Sequence, residues 1–131
     1  MTITPLYAGL LAFWFLLLSW RVVQMRVHGI SLGDGGNPEM LRRIRGHGNF
    51  SEYVPFILLM IGFLEVSRFP AWSIHALGAT LVAARVLHGY ALSFSEQFKF
   101  GRFWGTFLTF CLLAVCGGLC VYQGLTGAVA P

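Results

Sequence analysis

A stripe of polar side chains runs through the second apolar segment of the chain. Its members are Arg42, Arg45, Asn49 and Glu52, with Tyr53 at its edge. They are separated by three or four positions, so on a helix that turns about 100° per residue they point in nearly one direction. Arg85 and His88, three positions apart in the next apolar segment, share a face in the same way. We therefore expect two polar stripes on two neighbouring helices.

Both stripes interrupt sequence that otherwise suits a lipid bilayer. A charged side chain inside a bilayer costs roughly 2.5–3.5 kcal/mol on insertion scales, so such residues normally face the bundle interior or an aqueous pocket. Arg85 stands about fifteen positions into its apolar segment, where a purely structural role needs a carboxylate partner, and Glu52 is the expected one. Two polar stripes on adjacent helices predict one shared pocket.

The residue types of this pocket indicate what it can bind. A guanidinium keeps its proton in proteins and pairs with a carboxylate through two hydrogen bonds. Several guanidiniums with one carboxylate and one carboxamide favour a ligand that carries more than one carboxylate and an ammonium group, as a small peptide does. An arginine within about 4–6 Å of a bound thiol also stabilises the thiolate and lowers the pKa of the thiol. Composition alone leaves the choice between a thiol peptide and other acidic amphiphiles open.

Structural roles are the alternatives for several of these charges. Arg42 and Arg43 also suit anchors whose guanidiniums reach the lipid phosphates at the membrane surface. Arg45 and Glu52 also suit an ion pair that holds two helices together without binding a ligand. The spacing of the stripe fits both the binding role and the structural one.

The composition of the chain excludes a water-soluble globular protein. Of its 131 residues, 56% are hydrophobic and 11% are charged, against about a quarter charged in soluble domains, and the mean hydropathy is +0.71. At roughly twenty apolar residues per crossing, this length suits one domain with four membrane spans. The three cysteines lie in one apolar run without a CxxC pair, so neither a disulfide framework nor a metal site is expected.

We predict an all-α integral membrane protein, a bundle of four transmembrane helices in a single domain over residues 1–131. The expected spans are about 3–25, 38–66, 71–94 and 103–124. Between the first two spans, residues 28–37 contain four glycines and therefore suit a loop. Asn37 is the predicted cap of the second helix, with Pro38 at the first helical position.

Basic residues indicate the orientation in the membrane, because Lys and Arg accumulate on the cytoplasmic side. Those associated with the first and third loops are Arg21, Arg26, Arg42, Arg43, Arg45, Lys99 and Arg102. The second loop has Arg68 alone, which is expected to form an exposed pair with Glu65. Loops one and three are therefore predicted to be cytoplasmic, and both termini to lie outside the cytoplasm.

One run of the second helix has a distinctive pattern, Arg45-Gly-His47-Gly-Asn49-Phe-Ser-Glu52-Tyr53-Val-Pro55. It resembles the second-helix signature of the MAPEG family, the membrane-associated proteins in eicosanoid and glutathione metabolism. The resemblance covers nearly the whole chain, and the length is similar to that of the short bacterial branch. Arg85-Val-Leu-His88 is similar to the prostaglandin E synthase branch, whereas Ser51-Glu52-Tyr53 resembles the leukotriene C synthase branch.

The resemblance implies an assembly and a binding site. Family members are trimers of four-helix protomers that bind glutathione between neighbouring subunits, so a homotrimer in a bacterial inner membrane is expected. The glutathione-binding residues implied in this way are Arg26, Arg45, Asn49, Glu52, Tyr53, Arg85 and His88. Glu52 would bind the glutamyl ammonium, and Arg26 would come from the adjacent protomer. Arg102 corresponds to the catalytic arginine that activates the thiol, and Lys99 competes for that role.

The function implied by the resemblance is that of a glutathione transferase, a glutathione-dependent peroxidase, or both. Its second substrate would be a lipophilic electrophile or peroxide that arrives from the membrane lipid. A non-catalytic glutathione-binding or membrane assembly protein is an alternative, because Phe103 stands where the prostaglandin branch has a serine. A small multidrug transporter also fits the size, but the first span lacks the glutamate that such transporters need. No nucleic-acid partner and no metal are expected.

Overall fold

The computed structural model of the chain describes residues 1–127, which form four α-helices. They are α1 (Ile3–Val27), α2 (Pro38–Val66), α3 (Ala71–Ser93) and α4 (Lys99–Thr126). The all-helical prediction is therefore confirmed for the described residues, and residues 128–131 of the predicted domain lie outside them. The largest difference from the predicted spans is that α4 begins four residues before position 103. Arg102 consequently lies in the first turn of α4.

Three of the four helices are long and apolar enough to cross a membrane. These are α1, α2 and α4, with 25, 29 and 28 residues. Within the described residues α3 is not among them, although its 23 residues span about 34 Å at 1.5 Å per residue. His75, Arg85 and His88 lower its hydropathy. Long apolar helices of this kind are typical of a helical membrane protein.

The central pair of the bundle is formed by α2 and α3. Within residues 1–127, α1 and α4 each pack against both helices of this pair but not against each other. The apolar core runs between the helices, and its most deeply buried members include Leu11, Leu18, Ile57, Ile61, Leu64, Ile74, Leu81 and Cys116. This arrangement puts the polar half of α2 next to α3 and the first turns of α4.

Glycine lets the beginning of α4 approach α3 closely. A Cβ atom added to Gly105 would lie 2.6 Å from the Cβ of His88 and 2.8 Å from the carbonyl oxygen of Ala84. An added Cβ on Gly101 would lie 2.9 Å from the carbonyl oxygen of Leu87. Any side chain at these two positions would push the helices apart, because real Cβ atoms do not approach other atoms so closely. The two glycines therefore bring the start of α4 against the middle and end of α3.

The N-terminus of α1 is closed by a side chain from the far end of α2. The Glu65 carboxylate accepts hydrogen bonds from the backbone N–H groups of Thr2, Ile3 and Thr4 at 2.5–2.7 Å. These are N–H groups that a helix start leaves without partners inside the helix, and a negative charge there is favourable. The predicted exposed pair between Glu65 and Arg68 is therefore wrong: Glu65 is a cap that joins two helices.

The start of α2 follows the sequence prediction. The Asn37 side chain accepts hydrogen bonds from the N–H groups of Glu39 and Met40 at 2.9 and 3.1 Å, and Pro38 is the first helical residue. Four glycines of the preceding loop have a positive φ angle. That of Gly33 is 61°, a backbone conformation that most residues with a side chain avoid. The predicted cap is thus confirmed, and it fixes where the polar stripe of α2 begins.

Candidate functional site

A cavity of about 350 Å³ lies between α2, α3 and the start of α4. Its polar lining consists of Arg42, Arg45, Asn49, His88, Arg102 and Thr106, and its apolar lining of Leu41 and Leu92. The volume falls in the range of about 300–1,000 Å³ that is common for small-molecule sites. Part of each polar stripe predicted from the sequence thus lines one cavity, and α4 adds a third wall.

Three guanidiniums give this cavity a positive lining. Arg42 forms a salt bridge of 2.7 Å with Glu96, which lies in the loop between α3 and α4. Arg45 and Arg102 are exposed and form no ion pair with any residue of the described part of the chain. One carboxylate therefore meets three arginines, and the excess positive charge favours an anionic ligand.

Arg85 lies behind the cavity wall and is only 1% exposed. Its guanidinium donates hydrogen bonds to Oδ1 of Asn49 at 2.7 Å, Nδ1 of His88 at 3.1 Å and Oγ1 of Thr109 at 3.2 Å. Its Nε atom has no partner among the described residues, and no carboxylate there pairs with it. The expectation that Glu52 neutralises Arg85 is therefore wrong, because Arg85 is held by neutral groups alone.

Trp14 completes the surroundings of Arg85 from α1. Its indole N–H donates to the backbone carbonyl oxygen of Arg85 at 3.1 Å. Trp14 lies in the middle of an apolar helix, where its polar indole N–H needs a hydrogen-bond partner. A cross-helix hydrogen bond therefore accounts for the position of Trp14.

Three of the implied glutathione-binding residues lie away from the cavity. Glu52 is exposed on α2, and the half-buried Tyr53 packs near the ring of Phe110, with 6.0 Å between ring centroids. Arg26, in the last turn of α1, donates to the carbonyl oxygens of Ile30 and Gly33 in the loop that follows, at 3.4 and 2.7 Å. Within this chain they do not join Arg45, Asn49, His88 and Arg102 at the cavity.

Two threonines near the site were missed in the sequence. Thr106 lines the cavity, and Thr109 accepts from Arg85. They stand four and seven positions after Arg102, so all three share one face of α4. The spacing can be read from the sequence. The run is otherwise apolar and aromatic, so the polar face that the three residues share was not recognised.

The comparison with protein families gives the chain an identity. The family model described as "MAPEG family" matches residues 4–122. The chain belongs to the MAPEG family. It is 34% identical over 112 residues to the protein named "Inner membrane protein YecN" of Escherichia coli strain K12, which covers 85% of this chain and 84% of that protein. The YecN protein of E. coli O6:H1 strain CFT073 matches to the same extent. No solved structure matches the chain.

Membership of the MAPEG family confirms the resemblance noted in the sequence, and the YecN proteins are bacterial relatives. Their name places them in the inner membrane and states no activity. The apolar helices of this chain agree with a membrane location. The family and the membrane environment are thus established.

Within this MAPEG protein, the two candidates for the thiol-activating cation differ in position. Arg102 lines the cavity together with His88. Lys99 lies outside it, at the end of an open groove of about 570 Å³ that also contains Arg102 and the rings of Phe103, Phe107 and Phe110. Arg102 belongs to both spaces, whereas Lys99 lines the groove and not the cavity.

Arg43 has a structural role. It is 8% exposed, donates to the backbone carbonyl oxygen of Arg21 at 2.6 Å and pairs with Glu39 one turn earlier on α2. These bonds tie α2 to α1 and leave its guanidinium largely buried. Arg42 and Arg43 were both candidates for lipid anchors. Arg43 instead connects α1 and α2, and Arg42 lines the cavity.

Proposed function

We propose that this MAPEG protein binds glutathione at the cavity between α2, α3 and α4 and uses its thiolate on a lipophilic substrate. The observation that carries the proposal is the convergence of three arginines, an amide and an imidazole on one cavity. Glutathione has two carboxylates and an ionisable thiol, so it supplies the anionic groups that such a lining favours. Family membership supports the same ligand, because the MAPEG family is associated with glutathione.

Arg102 is the proposed catalytic residue. A guanidinium beside a bound thiol favours the thiolate, which is the nucleophilic form. In a transferase reaction, the sulfur lone pair forms a bond to the electrophilic carbon while the leaving group, or a ring-opened oxygen, takes the bonding electrons and a proton. In a peroxidase reaction, two glutathione molecules become a disulfide while the peroxide O–O bond is reduced to an alcohol and water. Both reactions begin with the same thiolate.

The aromatic groove beside Arg102 is the proposed entry for the second substrate. Phe103, Phe107 and Phe110 line one side of α4, and their side chains are exposed on a helix suited to the bilayer. A lipophilic electrophile or peroxide therefore reaches Arg102 from the membrane lipid without crossing water. The shared position of Arg102 brings the two substrates to one reacting centre.

The proposed assembly is a homotrimer in which α3 also spans the membrane. Arg45 and Glu52 are exposed on α2, and unpaired charges facing lipid are costly. Contact with a neighbouring copy would remove this cost and would bring Glu52, Tyr53 and a neighbour's Arg26 to the ligand. In this arrangement Glu52 binds the glutamyl ammonium. The proposed location is the inner membrane, with loops one and three cytoplasmic and both termini outside the cytoplasm.

A non-catalytic glutathione-binding protein is the second candidate. It is favoured by the exposure of Arg102, because solvent weakens the effect of a guanidinium on a neighbouring thiol. Under this alternative the cavity binds glutathione without forming a thiolate. A small multidrug transporter is disfavoured, because the chain belongs to another family and no acidic residue lies within α1.

Glutathione binding and thiolate formation test the proposal together. Detergent-purified wild type is titrated with glutathione by calorimetry, and bound thiolate is followed by ultraviolet difference absorbance. We expect binding with a thiolate signal that disappears in Arg102→Ala, persists in Lys99→Ala, and is weakened together with binding in Glu52→Ala. Arg68→Gln, exposed in the loop between α2 and α3, is the matched control and is expected to behave like wild type.

The other outcomes separate the alternatives. Binding without a thiolate signal would support the non-catalytic candidate. A signal lost in Lys99→Ala and kept in Arg102→Ala would exchange the roles of the two cations. No binding of glutathione to wild type would contradict the proposed ligand.

A further inference from the structure

Arg85 determines which atoms Asn49 and His88 can present to the cavity. Its guanidinium lies within 2.7 Å of Oδ1 of Asn49 and 3.1 Å of Nδ1 of His88. Arginine has hydrogen-bond donors and no acceptor. The atom of each neighbour that faces Arg85 must therefore accept a hydrogen bond.

This requirement fixes the chemistry of both neighbours. The amide oxygen of Asn49 is the atom turned toward Arg85, so its NH₂ group is left for the cavity. Nδ1 of His88 carries no proton, so the ring is neutral and its remaining proton is on Nε2. Each of these two cavity-lining residues thus turns an acceptor atom toward Arg85 and offers the cavity a donor, the NH₂ group of Asn49 and Nε2–H of His88.

The rest of the polar lining has the same character. Arg42, Arg45 and Arg102 have only donors. The hydroxyl of Thr106 donates to the backbone carbonyl oxygen of Arg102 at 2.9 Å, so its oxygen is a side-chain acceptor of the lining, beside Oδ1 of Asn49, which already accepts from Arg85. Neutral oxygens such as these are weak partners for an ammonium group. The Glu96 carboxylate is not part of the lining, and it is already paired with Arg42.

Charge acts in the same direction as hydrogen bonding. Arg85 is buried, and no carboxylate of the described residues pairs with it. A buried charge without a counterion is costly, and an anion nearby lowers that cost. The positive charge of Arg85 therefore lies directly behind Asn49 and His88, the residues that offer donors to the cavity.

We propose that Arg85 is a positioning residue that makes this cavity selective for the anionic groups of the ligand, a carboxylate and the thiolate, and excludes its ammonium group. The ammonium of glutathione then binds outside the cavity, on the side of the exposed Glu52. This inference rests on the proposed function for the identity of the ligand. It replaces the expectation that Arg85 itself touches glutathione.

The protonation of His88 tests the role of Arg85 without any ligand. The chain has four histidines, so protein with ¹⁵N-labelled histidine is measured by NMR in detergent, and His88→Gln assigns the signal. We expect neutral His88 with the proton on Nε2 and a hydrogen-bonded, unprotonated Nδ1. In Arg85→Met, the Nδ1 signal is expected to lose its hydrogen-bond shift. A proton on Nδ1 in the wild type would overturn the proposal, and this measurement does not require the variant to fold.

Glutathione analogues test the selectivity. One analogue lacks the amino group, and two others carry an amide in place of one carboxylate each. In wild type, we expect one of the two amides to cost about tenfold or more in affinity, and the same amide to cost only about two- to threefold in Arg85→Met. Removing the amino group should change affinity by the same factor in both proteins. Arg43→Met, the same substitution at another buried arginine, is expected to keep the wild-type pattern.

The opposite coupling would overturn the proposal. Two results would show that the cavity does not select anionic groups through Arg85. In one, removing the amino group changes affinity by different factors in wild type and Arg85→Met. In the other, neither amide changes affinity differently in the two proteins. If wild type binds no glutathione at all, the proposed ligand fails, and the tautomer of His88 still decides whether Arg85 fixes the donors.

Discussion

Two buried arginines of α2 and α3 have opposite surroundings. Arg43, between α1 and α2, pairs with Glu39 and with a backbone carbonyl oxygen. Arg85, between α2, α3 and α4, bonds only to an amide, a hydroxyl and an imidazole. A guanidinium that is paired with a carboxylate holds helices together, whereas the charge of a guanidinium without a counterion remains able to attract an anionic ligand. The difference indicates which of the two buried arginines is structural and which can act on a ligand.

The largest expected effect comes from replacing Arg85. Arg85→Met removes the positive charge behind the cavity and releases Asn49 and His88, so glutathione affinity should fall about 10- to 100-fold. The free energy of unfolding should change less, because an apolar side chain of similar length replaces a buried charge. Calorimetric titration and thermal unfolding in detergent measure the two effects. Unchanged affinity would remove the distinction between the two arginines.

The close approach of α4 to α3 gives the next effect. Gly105→Ala places a Cβ atom within 2.6–2.9 Å of His88 and Ala84, so we expect a loss of about 1–2 kcal/mol in the free energy of unfolding and weaker glutathione binding. Gly117→Ala is the matched control on the same helix, because nothing lies within 4 Å of its added Cβ. Its stability should be equal or higher, since alanine is the better helix former. Equal stability of the two variants would show that the contact is not tight.

Arg43 should affect stability alone. Arg43→Met removes the tie to α1, and because Glu39 is 47% exposed, the expected loss in the free energy of unfolding is only about 1 kcal/mol. Glutathione affinity should stay within about twofold of wild type, since Arg43 does not line the cavity. Denaturation in detergent and calorimetry measure both quantities. A loss of affinity as large as that of Arg85→Met would contradict the structural role.

The smallest effect is expected at Glu96, the partner of Arg42. Glu96 occupies Arg42, so Glu96→Gln should leave Arg42 free for a ligand carboxylate and raise glutathione affinity about two- to threefold, as suits an exposed pair. Glu39→Gln is the control, because its partner Arg43 is outside the cavity. Weaker binding in Glu96→Gln would mean that Glu96 helps to bind the ligand.

Hydropathy and capping residues were sufficient to predict much of the fold. Apolar runs indicated four helices, and Asn37 with Pro38 located the start of α2. The N-terminal cap of α1 was not predictable, because Glu65 comes from a distant part of the chain and only tertiary packing brings it there. Helix α4 begins before the span predicted from residue 103, because Lys99 and Arg102 were counted as loop residues.

The candidate site was predictable in part, for a geometric reason. A three-residue step on a helix leaves an offset of about 60°, so the stripe on α2 has two edges. Arg42 and Asn49 lie on the inner edge and are half-buried, whereas Arg45 and Glu52 lie on the outer edge and are exposed. Periodicity identifies the stripe, but it does not determine which edge faces α3, and it therefore suggested the wrong partner for Arg85.

A crystal structure of the protein with glutathione would test the central claim most directly. The account predicts a ligand carboxylate bonded to the amide nitrogen of Asn49 and to Nε2 of His88, with the sulfur near Arg102. The ammonium group should lie outside the cavity, toward a Glu52 carboxylate. An ammonium group bound inside the cavity, or glutathione bound elsewhere on the protein, would contradict it.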